Sequence, residues 1–358
     1  MRMTVQEMNR FFMLLCAPFL GIMIWLVSTQ WNDVVLSKPP ADPLELFTVG
    51  EQAATVHSGL DKAKQDAVSI GSTIEKVYKQ YEASTKEMSL MLQLAVAQAT
   101  RPEQIFDNRL AAQFGKPTRV ITSGNIDFKL YQFTDPNYRG YALKVQLKTD
   151  NAMKMVLGKD KVGGSETTLD AVKRYGAIAG INAGGFADDG KSGLRYPLST
   201  TMLNGKYVYG FEPTFENLAF VGMSTDRKLI GGRFSSQGEL DRLKPAFGAT
   251  FVPVLLAGGV KQAIPPQWAN SPKRAPRTVI GSFGNDQLIA IVAEGFDERG
   301  TSGATLAELQ DRLAALRIRD AYNLDGGGST SLVVEGKVVN HPSDGRLRAL
   351  PTHFLFFK

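Results

Sequence analysis

One stretch without charge restricts how this chain of 358 residues can fold. No residue between Arg10 and Asp33 is charged, and residues 11–27 are almost wholly apolar. A helix of about 20 apolar residues can cross a bilayer core of roughly 30 Å. The stretch therefore predicts a transmembrane anchor within residues 1–32. A cleaved signal peptide and a buried core helix are the alternatives.

The flanking charges predict the orientation of this anchor. Arg2 and Arg10 precede the apolar stretch, and Asp33 is the first charge after it. Because positive residues favour the cytoplasmic side, we expect a single-pass protein of the cell membrane with a cytoplasmic N-terminus. The main domain is then extracytoplasmic.

Composition excludes several classes of partner and cofactor. The net charge of +6 is modest, and Lys and Arg alternate with Asp and Glu throughout, so no nucleic-acid partner is predicted. The single cysteine, Cys16, excludes an internal disulfide and any cysteine cluster. Three histidines give little support to a zinc site. We expect neither a metal nor a cofactor.

Residues 33–101 combine a proline-containing linker with a heptad pattern. Two series of mostly apolar or small residues alternate at spacings of three and four: Ala53, Leu60, Ala67, Ile74, Tyr81, Met88 and Ala95, with Val56, Ala63, Ile70, Val77, Ser84 and Met91. This pattern is typical of a coiled coil or of a long helix laid on a partner. It predicts either a stalk that forms a homo-oligomer or a helix packed on its own globular domain. Arg101 and Pro102 are predicted to end the helix.

From residue 102 onward, short apolar runs bounded by Gly, Pro, Asn or Asp predict strands. The clearest are residues 119–122, 153–157, 278–283, 288–294 and 332–334, and helices are predicted at 167–175 and 305–316. Many short strands with few helices predict one α+β domain over residues 102–358, built from mixed or antiparallel sheets.

The stretch from Tyr322 to Val334 is the clearest candidate for a functional site. A strand-like run ends on Asp325, and three glycines and Ser329-Thr330-Ser331 follow. Glycine lets a ligand approach the main chain closely, so a carboxylate, bare amides and hydroxyls could surround an oxyanion or a sugar. A tight turn in which Asp325 caps its own backbone is the alternative.

Two other motifs are weaker. Residues 185–192 match the phosphate-binding pattern G-x-x-x-x-G-K-S, but Gly193 and Pro197 prevent the helix that this pattern requires. Ser329 and His341 could belong to a Ser-His-Asp arrangement, but no G-x-S-x-G turn surrounds the serine.

Acids and arginines near the predicted strand ends suggest acid-base chemistry on an anion. Glu294 ends an apolar run as Asp325 does, and such a pair of acids suits cleavage of a glycosidic bond. Arg277 precedes a strand, and Arg346 and Arg348 follow a turn. Arginine binds phosphate through two parallel hydrogen bonds, although a surface ion pair is the commoner role for each residue.

Several segments together resemble the phosphodiester glycosidase family. They are residues 323–332, 338–346, 164–168, 175–186, 276–278 and 302–306. The resemblance implies hydrolysis of a sugar-1-phosphodiester. Carried over position by position, it implies a site lined by Asn182, Arg277, Asp325, Ser329 and Thr330, with Glu294 where relatives tend to have an acid. Gly184, Gly326, Gly327 and Asp344, which lie in the same segments, and Arg348, which follows the turn at residues 342–345, are further candidate substrate-binding residues.

We therefore expect a membrane-anchored hydrolase acting on a sugar-phosphate diester or polysaccharide of the cell envelope. Arg277 and Arg348 would hold the phosphate, Asp325 and Glu294 would supply acid-base catalysis, and Asn182, Ser329 and Thr330 would bind sugar hydroxyls or phosphate oxygens. The alternatives are a polysaccharide-binding or exopolysaccharide assembly factor that uses the same pocket without turnover, and a structural protein whose stalk performs the function.

Overall fold

The computed structural model describes residues 22, 24, 25, 49–215, 217–284, 287–295 and 302–358. Contacts divide the chain into two units, Met1–Gln93 and Leu94–Lys358. The predicted membrane segment at residues 11–27 lies, except for three positions, outside the described residues, as does most of the linker after it. Among the helices that can be described, none combines the length and apolarity needed to cross a bilayer.

Helix α1 (Val49–Phe114) contains the predicted heptads. The larger side chains of the two series are between 58% and 71% exposed, from Val77 at the lower limit to Tyr81 at the upper. Gly59 and Gly71 lie within the helix without interrupting it. The heptad residues therefore form an apolar stripe exposed to solvent.

The prediction that this helix ends at Arg101 and Pro102 is wrong, because α1 continues to Phe114. Tertiary contacts hold its last turns. The carboxylate of Asp107 accepts hydrogen bonds from the ammonium groups of Lys129 at 2.5 Å and Lys144 at 2.6 Å. Leu110 is fully buried. These contacts offset the cost of about 3 kcal/mol that proline adds inside a helix.

The described residues of the unit Leu94–Lys358 form four further α-helices: α2 (Thr168–Tyr175), α3 (Gln237–Asp241), α4 (Pro266–Asn270) and α5 (Leu306–Ala315). Its described strands are β1 (Arg119–Thr122), β2 (Ile126–Asp135), β3 (Tyr138–Leu147), β4 (Met153–Leu157), β5 (Ala179–Asn182), β6 (Phe186–Asp188), β7 (Arg195–Pro197), β8 (Met202–Leu203), β9 (Lys206–Tyr207), β10 (Ala219–Ser224), β11 (Leu229–Gly232), β12 (Pro245–Phe251), β13 (Val254–Ala257), β14 (Val260–Lys261), β15 (Arg277–Ser282), β16 (Gln287–Ala293), β17 (Asp320–Asn323), β18 (Leu332–Val334), β19 (Lys337–Val338) and β20 (Thr352–Phe356).

These strands form one large sheet, two smaller sheets and a hairpin. The large sheet has the order β1-β2-β3-β16-β15-β17-β13-β14, and the others have the orders β11-β10-β12-β8-β9, β19-β18-β5-β20-β4 and β6-β7. The strand pairs described in detail are antiparallel, as in β15 with β16 and β5 with β20. The unit is therefore an α+β domain, as the sequence predicts.

The large sheet separates two hydrophobic cores. On one face, Ile280 and Val292 pack with Ile181, Leu332 and Phe354 of the sheet that contains β5. On the other face, helix α5 and the end of α1 cover the strands through residues that include Leu110, Val279, Ile291, Leu309 and Leu313. The sheet that contains β5 thus lies against the first face, and this stacking brings the end of β5 close to the large sheet.

Candidate functional site

Three neighbouring strands of the large sheet place the predicted acids and the arginine at one end of the sheet. Strand β15 begins at Arg277, which pairs with Ala293 at the end of β16. On its other side, Val279 pairs with Asn323 at the end of β17. Glu294 and Asp325 therefore follow strand ends that flank the start of β15. Neighbouring strands lie about 4.8 Å apart, so the two backbones are separated by about 10 Å here.

Arg277 is a buried cation without a carboxylate partner among the described residues. Its side chain belongs to a residue that is only 6% exposed. One terminal nitrogen, Nη2, donates to the carbonyl oxygen of Pro272 at 2.8 Å, and the buried Nε has no hydrogen-bond partner in the part of the chain that the structure describes. Burial lowers the pKa of the guanidinium to about 10, which still leaves it charged at neutral pH. A buried charge in this state is suited to an anion that arrives from outside the protein.

The glycine-rich turn after β17 packs against the backbone that leads into Arg277. The N–H of Gly327 donates to the carbonyl oxygen of Pro276 at 2.9 Å. A side chain at Gly326 would lie 2.8 Å from that same oxygen, so this position has no room for one. Gly327 has a φ of 59°, which glycine adopts without strain. Asp325 Oδ1 accepts from the N–H of Gly326, so the predicted cap is present in addition to the close approach.

Arg348 and Asp344 reach the same turn. Their side chains form an ion pair at 2.8 Å, and both lie directly over the position that a side chain on Gly328 would occupy. The pair is partly exposed, at 29% for the arginine and 35% for the aspartate. The structure therefore brings a second guanidinium, from a segment 20 residues farther along the chain, to the glycine-rich turn.

Two hydroxyls follow in the same turn. Ser329 and Thr330 are each 2% exposed, and neither side-chain oxygen has a hydrogen-bond partner within the described part of the chain. Buried hydroxyls are normally paired. Their position beside the glycines makes them candidate donors to a bound oxyanion or sugar.

Asn182 and Gly184 occupy different environments from the one expected of substrate-binding residues. Asn182 is fully buried, and its Nδ2 donates to the carbonyl oxygen of Asp325 at 2.6 Å. Its Oδ1 accepts from Thr278 Oγ1 at 2.7 Å and from the N–H of Ser331 at 3.1 Å. Gly184 packs against β12, where a side chain would lie 2.6 Å from Ala249 Cβ. Asn182 therefore fixes the turn, and Gly184 permits the connection between β5 and β6 to pack closely against β12.

Glu294 lines a separate cavity of about 390 Å³. Its Oε1 accepts from the backbone N–H of His341. Burial raises the pKa of Tyr141, and the neighbouring Glu294 carboxylate raises it further. Arg139 and Ser343 also line this cavity. Arg277 and Asp325 do not, although Gly295 lies against Pro276, the residue that binds the glycine-rich turn.

The sequence did not reveal that Thr278 and Ser331 bind Asn182, although Ser331 belongs to the candidate stretch. Thr278 lies within an apolar strand, where its sequence context gives no sign of a polar contact. The rejected phosphate-loop pattern forms a hairpin of β6 and β7. In the described parts of the chain, no group of His, Cys, Asp or Glu residues is arranged to hold a metal ion.

Parts of this chain match a known protein family and several known proteins. The family described as phosphodiester glycosidase matches residues 175–357, just over half of the chain. The SPbeta prophage-derived uncharacterized protein YomE of Bacillus subtilis (strain 168) is 30% identical over 192 residues, covering 52% of this chain and 28% of that protein. Human N-acetylglucosamine-1-phosphodiester alpha-N-acetylglucosaminidase is 38% identical over 68 residues, covering 19% of this chain and 13% of the enzyme. The chain thus spans less than a third of either relative.

A solved structure shares the fold. The catalytic domain of zebrafish N-acetylglucosamine-1-phosphodiester alpha-N-acetylglucosaminidase, auto-inhibited by its pro-peptide, superposes with a TM-score of 0.51 at 19% identity. The alignment covers 68% of this chain and 86% of the zebrafish domain. The matched sequence region contains Arg277, Asp325 and the glycine-rich turn. On the extent of that match, this chain belongs to the phosphodiester glycosidase family.

Proposed function

We propose that this chain hydrolyses a glycosyl-1-phosphodiester at the site formed by Arg277 and the glycine-rich turn. The observation that supports this most strongly is the buried guanidinium of Arg277, which has no carboxylate partner among the described residues. The side chain of Arg277 lies next to Gly326, in the turn that also carries Ser329 and Thr330. A phosphodiester supplies the missing negative charge and its oxygens accept hydrogen bonds. Membership of the phosphodiester glycosidase family supports the glycosidic bond as the bond that is cleaved.

In the proposed reaction, water adds to the anomeric carbon and the bond from that carbon to the phosphate oxygen breaks. Arg277 and Arg348 stabilise the negative charge on the departing phosphomonoester. The carboxylate of Asp325 accepts a hydrogen bond from the N–H of Gly326. It either takes a proton from the attacking water or stabilises the positive charge that develops on the sugar. Glu294 lines the separate cavity, so we assign it no step in this reaction. The proton that the water releases ends on the phosphomonoester or in the solvent.

The proposal is tested with the purified full-length chain and a panel of sugar-1-phosphodiesters, measuring free sugar and phosphomonoester together. We expect equal amounts of both products, with a loss of roughly a hundredfold or more in Asp325→Asn and Arg277→Met. Asp311→Asn is the control, because that carboxylate pairs with Lys261 and lies on helix α5. Tight binding of a polysaccharide without turnover would favour the alternative of a binding or assembly factor.

The proposal extends to location. The uncharged run of residues 11–27, preceded by Arg2 and Arg10, supports a single-pass anchor with the domain on the outer side of the membrane. In that location, cell-envelope or exopolysaccharide material is the substrate that we propose. Protease added to intact cells should then remove the domain. Protection of the domain until the membrane is permeabilised would contradict this orientation.

We also propose that the heptad residues of α1 pair with those of a second copy. The apolar stripe is exposed along the described helix, and a repeated 3-4 pattern is complementary to itself. Leu60→Glu with Ile74→Glu should halve the mass measured by sedimentation of the detergent-solubilised chain. Val68→Glu is the matched control, since Val68 is equally exposed, at 67%, but lies off the stripe. An unchanged mass in the double variant would exclude this pairing.

A further inference from the structure

A network of buried polar side chains lies next to the glycine-rich turn. Thr168, the first residue of helix α2, has its hydroxyl 2.6 Å from Ser331 Oγ and 3.1 Å from His353 Nδ1. Thr168 and His353 are fully buried, and Ser331 is 2% exposed. Burying a polar group without a hydrogen bond is costly, so each of the three side chains is stabilised by the contacts with the others.

This network extends to the residues that hold the glycine-rich turn in place. The backbone N–H of Ser331 donates to Asn182 Oδ1, and Asn182 Nδ2 donates to the carbonyl oxygen of Asp325. Asn182 therefore holds both ends of the segment from Asp325 to Ser331. The hydroxyl of Thr168 holds the same segment a second time, through the side chain of Ser331.

The histidine contributes as a neutral ring. Burial lowers the pKa of His353 to about 4, and its neighbours Glu166 and Arg174 have opposite effects on that pKa. A neutral imidazole has one nitrogen that accepts and one that donates, so Nδ1 can pair with the Thr168 hydroxyl in either tautomer. His353 also pairs with Asn182 across β20 and β5, which places the ring and the amide on adjacent strands.

We propose that Thr168, Ser331 and His353 are positioning residues that hold Asp325 and the unpartnered hydroxyls of Ser329 and Thr330 in place for the substrate. We assign none of the three a contact with the substrate, because the hydroxyls of Thr168 and Ser331 bind each other and Nδ1 of His353 binds Thr168. Their function is to keep the turn from relaxing when the site is empty, a form of preorganisation on which oxyanion stabilisation depends.

The test compares Thr168→Val with Thr168→Ser in the full-length chain. Valine has the shape of threonine but removes both hydrogen bonds, whereas serine keeps the hydroxyl. Hydrogen exchange should be roughly tenfold faster for amides of residues 325–331 in the valine variant, the scale expected when a buried hydroxyl loses its partners. Amides of β10 and β12 should be unchanged, and serine should restore slow exchange.

The kinetic measurement rests on the proposed function. On a sugar-1-phosphodiester that the wild type hydrolyses, Thr168→Val should lower kcat by roughly tenfold while KM changes by less than about twofold, and Thr168→Ser should restore kcat. Equal exchange at residues 325–331 in wild type and valine variant would overturn the positioning role, as would equally faster exchange throughout the domain. If the wild type hydrolyses nothing, the proposed activity fails, and hydrogen exchange still decides the role of the network.

Discussion

Replacing Arg277 by methionine should stabilise the empty protein. Burial lowers the pKa of Arg277 from its ordinary value to about 10, and at 1.36 kcal/mol per pKa unit this corresponds to an unfavourable burial of about 3 kcal/mol. Methionine removes the charge while filling a similar volume, and loses one hydrogen bond to Pro272, worth about 1 kcal/mol. The net gain should therefore be about 1 to 3 kcal/mol, or roughly 2 to 10 °C in Tm for a domain of this size.

Calorimetry of the wild type and the variant, each with and without inorganic phosphate, measures this effect. Phosphate should raise the Tm of the wild type and leave that of Arg277→Met unchanged. Arg274→Met is the control, because Arg274 pairs with Glu308 in the capping box of α5 and its loss should lower the Tm. The reasoning is refuted if Arg277→Met is less stable than the wild type by more than about 1 kcal/mol, since the guanidinium would then be satisfied within the protein.

Two further predictions concern pH and the glycines. Burial lowers the pKa of His353 from 6.5 to about 4, so the folded protein binds a proton there more weakly than the unfolded chain does. The neutral ring therefore contributes fully to the free energy of unfolding above pH 6.5, and this contribution is lost as the pH falls towards 4. Between pH 7 and 4.5, urea unfolding should show about 2 kcal/mol more loss for the wild type than for His353→Asn, and equal losses would contradict this. The methyl group added in Gly328→Ala would contact only the flexible ends of the Arg348 and Asp344 side chains. The Tm of this variant should therefore change little, while its KM rises several-fold. Gly326→Ala meets the Pro276 carbonyl and should be destabilised by about 1 to 3 kcal/mol; similar effects of the two substitutions would contradict this contrast.

Local sequence patterns predict many elements of this fold. Strands β1, β4 and β18 have the predicted bounds, and helices α2 and α5 lie within one residue of theirs at each end. The threonines Thr167 and Thr305 cap these two helices, which explains why their starts could be read from the sequence. Local periodicity and capping act over a few residues, and the sequence displays them directly.

Contacts between distant segments could not be predicted in the same way. Strand β16 pairs with β3, about 145 residues earlier, and no local pattern selects that partner. The two-residue strand β8 pairs with β12, about 45 residues later, and β9 pairs with β8 in turn. Helix α1 passes Pro102 because Asp107 binds lysines of the large sheet, a contact that helix propensity does not describe.

The candidate site shows the same division. The glycines and acids were recognisable because glycine next to an acid at a strand end has few structural explanations. The role of Asn182 was not, since a buried asparagine that binds backbone and one exposed to substrate look identical in a sequence. Thr168 and His353 are 185 positions apart, and only the fold brings them together.

The central claim is that this domain cleaves the bond between the anomeric carbon and the phosphate oxygen at the site of Arg277 and Asp325. Hydrolysis of a sugar-1-phosphodiester in water labelled with heavy oxygen tests it most directly, with mass spectrometry of both products at early times. We expect the label in the sugar and none in the phosphomonoester, with the yield of both products lower by roughly a hundredfold or more in Asp325→Asn. Label in the phosphomonoester would mean attack at phosphorus, and would contradict the account.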